Sequence, residues 1–307
     1  MNDVVHVGRD GWLFLTGGTN GPIRMYRRSL AQSWLMRRWA WLIGARAREA
    51  RRRGIRFLHL AAPEKLSVYA DQAPDLAVDP KLGNGQVLCR LFADEAICPD
   101  VVPALVAARR EGETFLRTDS HWSTEGCRVA HDVVCRALGA TLRWSLEERV
   151  TVELDAFTGD LGDKLVPAPS EALRRSAVQR DAVRVDANGL VRACEAAGRI
   201  AELHRGACVV FRNEAADADP RRLVLFGDSY SDFTQHSLTG MLAETFREVH
   251  FIWSPQIDWG YVERVRPNIL ISELAERFMF RLPVDRGYDN EVFARERMGV
   301  LGLAEAV

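Results

Sequence analysis

The last third of the chain restricts the fold more than any other part. Apolar runs at 222–226, 249–253 and 268–273 alternate with helical stretches, one from the Gly227-Asp228-Ser229-Tyr230-Ser231 turn to about residue 247 and a short one near 258–265. Strands that are apolar on both faces and joined through helices require a mostly parallel sheet covered on both sides. Ligands of such sheets bind beyond the carboxyl ends of the strands, and Ser229 follows one of those ends directly. With 307 residues, 47% of them hydrophobic, the chain is long enough to enclose a core of this kind.

Upstream, residues 12–15 read as a short apolar strand after a turn at Gly8 to Gly11, and the loop with Gly17, Gly18 and Gly21 lacks the Gly-Lys-Ser/Thr ending of a phosphate cradle. A long helix is predicted over 29–53 with Gly54 as its stop, and a buried strand over 55–62. Further helices are expected near 86–95 and from Pro103. A strand over 114–117 leads into Thr118-Asp119-Ser120-His121-Trp122, after which Ser123 or Thr124 caps a helix that stops at Gly139. Residues 141–207 are the least regular and read as an insertion within a single domain over 1–307, not as a second domain.

Composition excludes several function classes. Forty-one basic and 42 acidic residues leave a formal charge of -1, which gives no footprint for a nucleic-acid backbone. The local run Arg46, Arg48, Arg51, Arg52 and Arg53 reads as a solvated helix end. Six cysteines occur without a CxxC pair or zinc spacing, so structural zinc is not expected, and disulfides are permitted but not required. No apolar window is long enough for a membrane span, and residues 1–9 lack the apolar core of a signal peptide; a chain complete as it stands would be cytoplasmic.

The candidate chemistry lies in two loops. Ser229, read as opening a helix, has a hydroxyl placed for nucleophilic attack and an N–H near a positive helix end, which suits an oxyanion. Gly, Asp and Ser are also ordinary turn and cap residues. Of the histidines His6, His59, His121, His131, His204, His236 and His250, only His121 has a carboxylate two residues away in a predicted strand-end loop. Asp119 can then hold the imidazole N–H and fix its tautomer, leaving the other nitrogen to take a proton from Ser229. The competing reading leaves Asp119 and Ser120 as caps of the next helix and Trp122 as core. His59 and His131 read as packing residues, and His236 as too far along the Ser229 helix to be the base. A metal set of Asp119, His121, His131 and Asp132 matches no known spacing. No metal or cofactor is called for.

Several segments in order resemble one family: Gly8-Arg9-Asp10-Gly11-Trp12-Leu13-Phe14, Ala62-Pro63-Glu64-Lys65 with Val68-Tyr69, Arg117 to Ser123, Gly159-Asp160-Leu161-Gly162, the turn at Ser229, and the closing run from Arg266 to Phe278. Together they are similar to the SGNH-hydrolase-like proteins of alginate O-acetylation, the AlgJ and AlgX type related to the DHHW proteins. The resemblance implies a three-layer α/β/α fold, a triad in the order Asp119, His121, Ser229, and acetyl transfer to a carbohydrate or glycoconjugate through an acyl-enzyme. It further implies a periplasmic setting and an acyl donor presented by a membrane O-acyltransferase. An SGNH esterase or deacetylase uses the same chemistry with water as acceptor, and a non-catalytic glycan-binding scaffold on the same fold is the alternative from another class. Ser229, Tyr230, Arg117 and Lys65 are the candidates for oxyanion or substrate contacts. Near-zero net charge favours a neutral or weakly charged acceptor, unless Arg117, Lys65 and Lys164 converge into a basic cleft.

Overall fold

A computed structural model describes residues 3–142, 151–176, 180–234 and 237–303. The chain opens with an antiparallel hairpin of β1 (Val5–Val7) and β2 (Leu13–Leu15), in which Val5 pairs with Leu15. Helix α1 (Leu30–Arg52) follows, capped by Ser29, and the turn at Gly54 returns the chain antiparallel to it as β3 (Arg56–Ala62). Three helices come next, α2 (Lys65–Tyr69), α3 (Asn84–Leu91) and α4 (Val102–Ala108). No strand forms at 114–117. That segment turns back on itself, leaving one bridge between Phe115 and Trp122, and so places the Asp119 loop directly against α5 (Thr124–Leu138). Ser123 caps α5 through the Gly126 N–H, and Gly139 ends it in the left-handed conformation.

The stretch read as an insertion divides in two. Strands β4 (Thr151–Phe157) and β5 (Glu171–Ser176) make a separate hairpin, whereas β6 (Ala182–Ala187) joins the main sheet and α6 (Gly189–Ala196) covers it. The remaining elements are β7 (Cys208–Asn213), β8 (Asp219–Gly227), α7 (Leu238–Thr245), β9 (Phe246–Trp253), α8 (Trp259–Val265), β10 (Ile269–Ala275) and α9 (Asn290–Leu301). The six-stranded sheet runs β3-β10-β8-β9-β7-β6; its first four strands are parallel and the β7 and β6 pairings antiparallel.

Alternation along the strands separates two apolar layers. Leu223, Leu225, Leu58 and Ile271 pack with Val134, Met241 and Leu242 on one face, while Val224, Phe226, Phe57 and Leu270 pack with Met36, Trp39, Ile43 and Val262 on the other. The chain is therefore a three-layer α/β/α structure with a mostly parallel sheet. Strands β9 and β10 flank β8, with α7 and α8 on opposite faces. The topology thus switches at β8, whose carboxyl end carries Ser229.

One charge in α1 departs from its expected place. Arg46 is buried, bonding both oxygens of Asp285, at 2.6 and 2.8 Å, and the Pro255 carbonyl at 2.8 Å. Its stem lies on the inner side of the helix with Ile43 and Ala50, and so cannot reach water; the rest of the run, Arg48, Arg51, Arg52 and Arg53, is exposed.

Candidate active site

The turn after β8 is built by buried carboxylates. Asp228 accepts from the Tyr230 N–H (2.9 Å) with one oxygen and from the Ala275 N–H (2.8 Å) with the other, while its own N–H donates to Glu273 (2.9 Å). Burial pushes the Glu273 carboxyl far up from its ordinary range, and the neighbouring Asp228 charge pushes the same way. These bonds make residues 228–231 a tight turn, and α7 begins only at Leu238. The expectation that Ser229 opens a helix is therefore corrected: Asp228 takes the Tyr230 N–H and the Asp228 carbonyl takes the Ser231 N–H (3.1 Å), closing a local turn in place of a helical one. Ser229 is therefore not in the first turn of α7. The Ser229 N–H itself has no acceptor among the described residues.

The second loop meets this turn. His121 Nε2 lies 2.8 Å from Ser229 Oγ, and Asp119 Oδ1 accepts from both His121 Nδ1 (2.7 Å) and the His121 backbone N–H (2.9 Å). With Nδ1 as the donor, Nε2 is the acceptor and the serine hydroxyl donates to it. Burial would raise the Asp119 carboxyl, but the hydrogen bonds and charge of His121 outweigh it and hold the group well below the usual range. For His121 burial acts downward, and the Asp119 hydrogen bond and charge reverse it, leaving the imidazole above 6.5. The three residues thus form the hydrogen-bonded relay that base-assisted serine attack requires.

The β4–β5 hairpin and the loop within it lock the Asp119 loop in place. Glu171 accepts from the N–H groups of Arg117 (2.9 Å) and Thr118 (2.7 Å) and from the Thr118 hydroxyl (2.7 Å). Asp160 accepts from the Ser120 N–H (2.6 Å) and hydroxyl (2.8 Å), and its own N–H reaches the free oxygen of Asp119 (3.1 Å). From below, buried Arg277 joins Glu64 (2.6 Å), the Ser120 hydroxyl (3.0 Å) and the Tyr230 hydroxyl (2.9 Å). Reading the sequence by residue type missed Asp160, Glu171, Glu64 and Arg277 as supports. Asp160, Glu64 and Arg277 lay inside segments already singled out, but nothing local to them tells where their side chains point.

The other candidates have different roles. Tyr230 lines the cleft, its ring packed against His121 and Trp122, while its hydroxyl donates to the Ser120 carbonyl (2.7 Å) and accepts from Arg277 (2.9 Å). Lys65 is buried, its ammonium bonded to the carbonyls of Leu13 (2.8 Å) and Arg117 (2.9 Å), and burial brings its pKa down to about 7. It ties the opening hairpin to the Asp119 loop. Arg117 pairs with Glu113 at the surface, and Lys164 donates to the Asp160 carbonyl. None of Lys65, Arg117 and Lys164 lines the cleft, so the basic cleft considered from sequence is not built from them. The cleft is lined instead by His121, Ser229, Trp122, Leu173, Arg175 and Asp232, among others. Burial holds the Asp232 carboxyl above its ordinary range and pulls the Arg175 guanidinium down.

Among the described residues His121 is the one histidine hydrogen-bonded to Ser229. His59 Nδ1 bonds Ser272 (2.8 Å) and His131 Nε2 bonds Thr245 (2.9 Å), both fully inside the protein; His236 lies outside the described residues. The metal set with His131 and Asp132 is not assembled, since Asp132 pairs with Arg128 (2.8 Å). Asp119, His121 and Asp160 do cluster, but the carboxylate oxygens already accept from Ser120, His121 and the Asp160 N–H.

The family model of the SGNH hydrolase-like domain of acetyltransferase AlgX matches residues 5–199. The chain is 30% identical over 142 residues to the probable alginate O-acetylase AlgJ of Pseudomonas aeruginosa, a match covering 45% of this chain and 33% of that protein. A second AlgJ, from Pseudomonas syringae pv. tomato, is 35% identical over 91 residues, covering 25% of this chain and 23% of the relative. The chain thus spans a third or less of these relatives. Among solved structures, the O-acetyltransferase domain of Pseudomonas putida AlgJ superposes with a TM-score of 0.61 at 18% identity, covering 96% of this chain and 99% of that one. PatB1 of Bacillus cereus superposes with a TM-score of 0.59 at 14% identity, covering 92% of this chain and all of that one (100%). At these identities the likeness is one of fold.

Proposed function

Since the chain belongs to the SGNH hydrolase-like domain family of acetyltransferase AlgX, we propose that it is a serine-dependent O-acyltransferase that moves an acetyl group onto a carbohydrate or glycoconjugate. The observation that carries this reading is the unbroken relay from Asp119 through His121 to Ser229, at 2.7 and 2.8 Å. The O-acetylase names of the AlgJ relatives support the same class. We take residues 1–307 as one domain, because β6 and α6 complete the main sheet and its cover.

In the proposed reaction Ser229 Oγ attacks the acyl carbonyl while His121 Nε2 takes the hydroxyl proton and Asp119 holds the imidazolium. The Ser229 N–H is the first donor to the developing oxyanion. Collapse expels the donor's alcohol or thiol, which leaves with the proton from His121, and the acyl-serine remains. A sugar hydroxyl then gives its proton to His121 as its oxygen attacks the acyl-serine carbonyl, and collapse breaks the acyl–Oγ bond while His121 returns that proton to Ser229 Oγ, freeing the acylated sugar. The acceptor is neutral or weakly charged on this reading, because the cations considered for a polyanion groove are engaged elsewhere. The acyl donor comes from outside the chain.

The test is intact-protein mass spectrometry after brief exposure to an activated acetyl ester. A single acetyl adduct that maps to Ser229, is absent in Ser229→Ala, and decays faster when a glycan is added supports transfer. Decay at an unchanged rate with every glycan supplied points to an esterase, and no adduct with intact binding points to a scaffold.

A further inference from the structure

We propose that the outward face of α1 docks the protein on an anionic lipid surface. This goes beyond the acyl-transfer reading and does not rest on it. The helix has two opposed stripes. Met36, Trp39, Ile43, Arg46 and Ala50 point into the protein, and on the opposite side, at spacings of four and seven, stand Leu30, Trp34 and Trp41. These three are 92%, 60% and 70% exposed, values far from those of side chains that pack inside. Single exposed apolar residues are ordinary, but two tryptophans and a leucine in one line form a patch. The 281–286 loop extends it, with Val284 exposed beside the cleft that Trp41 and Leu42 share with Leu282 and Pro283.

Charge selects the occupant. From Gly11 to Arg48 the sequence contains seven arginines and no Asp or Glu, in a protein whose formal net charge is -1. Arg27, Arg28, Arg37, Arg38 and Arg48 are exposed on or beside the patch, and Arg38 stacks over the Trp34 ring at 4.8 Å. Asp285, which lines the cleft beside Trp41, is paired with Arg46, and Glu49 of α1 with Arg52 and Arg53. Indole rings that prefer the boundary between water and acyl chains, flanked by guanidinium groups, are the chemistry of a helix lying in the plane of an anionic membrane. No described helix is long and apolar enough to cross a bilayer, so contact would be interfacial. Because α1 runs antiparallel to β3, Leu30 and Trp34 stand toward the sheet edge that carries Ser229.

The experiment is co-sedimentation of the whole chain with phosphatidylcholine vesicles, with and without roughly 30% phosphatidylglycerol, together with quenching of tryptophan fluorescence by brominated lipids. The expected result is binding to the anionic vesicles, lost in high salt, with brominated lipid quenching the wild type more than Trp34→Ser/Trp41→Ser. That variant and Arg37→Glu/Arg38→Glu should each bind at least tenfold more weakly while keeping the wild-type melting temperature and hydrolysis of a soluble ester. No binding at low salt, or unchanged binding by both variants, would overturn the proposal. So would a concentration-dependent dimer that Trp34→Ser/Trp41→Ser dissolves and vesicles do not compete, which would assign the patch to a second copy of the chain.

Discussion

Gly159 lies against Asp119 so closely that a Cβ on it would stand 2.4 Å from the Asp119 Cβ and 2.6 Å from its backbone nitrogen. A side chain there requires the Gly159 and Asp119 segments to move apart, which disturbs the loop that carries His121. Gly159→Ala is therefore expected to cost about 1–3 kcal/mol as an overpacking change and to lower kcat by more than the lost stability explains. Gly112→Ala, whose Cβ would find its nearest neighbour at 4.0 Å, is the control. Thermal unfolding and ester turnover of the two variants decide the matter; equal behaviour would show that the contact does not set the loop.

Asp160 holds Ser120, the residue between Asp119 and His121 of the proposed triad, through the Ser120 N–H and hydroxyl. Hydrogen bonds to a charged group contribute about 1.5–3 kcal/mol. If that ordering is felt in the transition state, Asp160→Ala lowers kcat by roughly 10- to 100-fold. Asp160→Asn keeps an acceptor for the Ser120 N–H and should recover part of the loss. Steady-state kinetics on a small ester should place the effect in kcat; a change confined to KM would make Asp160 a substrate contact instead.

The pH profile follows from the direction of the His121 shift. A general base acts in its neutral form, and His121 titrates above 6.5 because the bond and charge of Asp119 overcome burial. Activity should therefore rise with pH through a midpoint above 6.5. In Asp119→Asn the larger upward influences are gone, leaving the Asp160 charge against burial and Arg277, so the midpoint should fall and the plateau should drop. An acid limb that stays in place in this variant would mean that another group controls the rate.

Glu64 and Arg277 form an ion pair with both side chains buried, at 2.6 Å. Removing one partner leaves an unpaired charge inside the protein, so Arg277→Met should destabilise by about 3–5 kcal/mol. Glu64→Gln/Arg277→Met should cost less than the two single changes added together. Urea midpoints for the three variants measure this coupling, and strict additivity would rule it out.

Among the described residues lining the cleft Arg175 is the one arginine or lysine, and Asp119 and Asp232 are its charged neighbours. Transfer to a neutral oligosaccharide should accordingly match transfer to a uronic-acid one within a few-fold and change little with salt. A strong preference for the anionic acceptor that fades as salt rises and disappears in Arg175→Gln would contradict the proposed acceptor.

Much of the fold is legible in local pattern. The apolar runs of β8, β9 and β10, the α1 helix with its glycine stop, and α5 between Ser123 and Gly139 all lie within a few residues of their predicted bounds, because periodicity and caps are properties of adjacent residues. Local reading failed at 114–117, where the chain folds back, and after Ser229, where side-chain carboxylates close a turn that helix propensity alone does not foresee. It also treated β6 as part of an insertion, since an edge strand exposed on most of its side chains lacks the apolar run of a central one.

The site divides along the same line. Local pattern picks out Asp119 and His121, two positions apart, and Ser229 at a strand end as the candidates for acyl-transfer chemistry, because residue type and near neighbours are enough for that. The packed fold brings His121 Nε2 to Ser229 Oγ across 108 positions of chain. It likewise decided that Lys65 and Arg117 are struts and surface pairs, and that Asp160, Glu171, Glu64 and Arg277 hold the Asp119 loop. A side chain's partner depends on which segments the sheet brings together, and that is a property of the whole packed chain, not of any window along it.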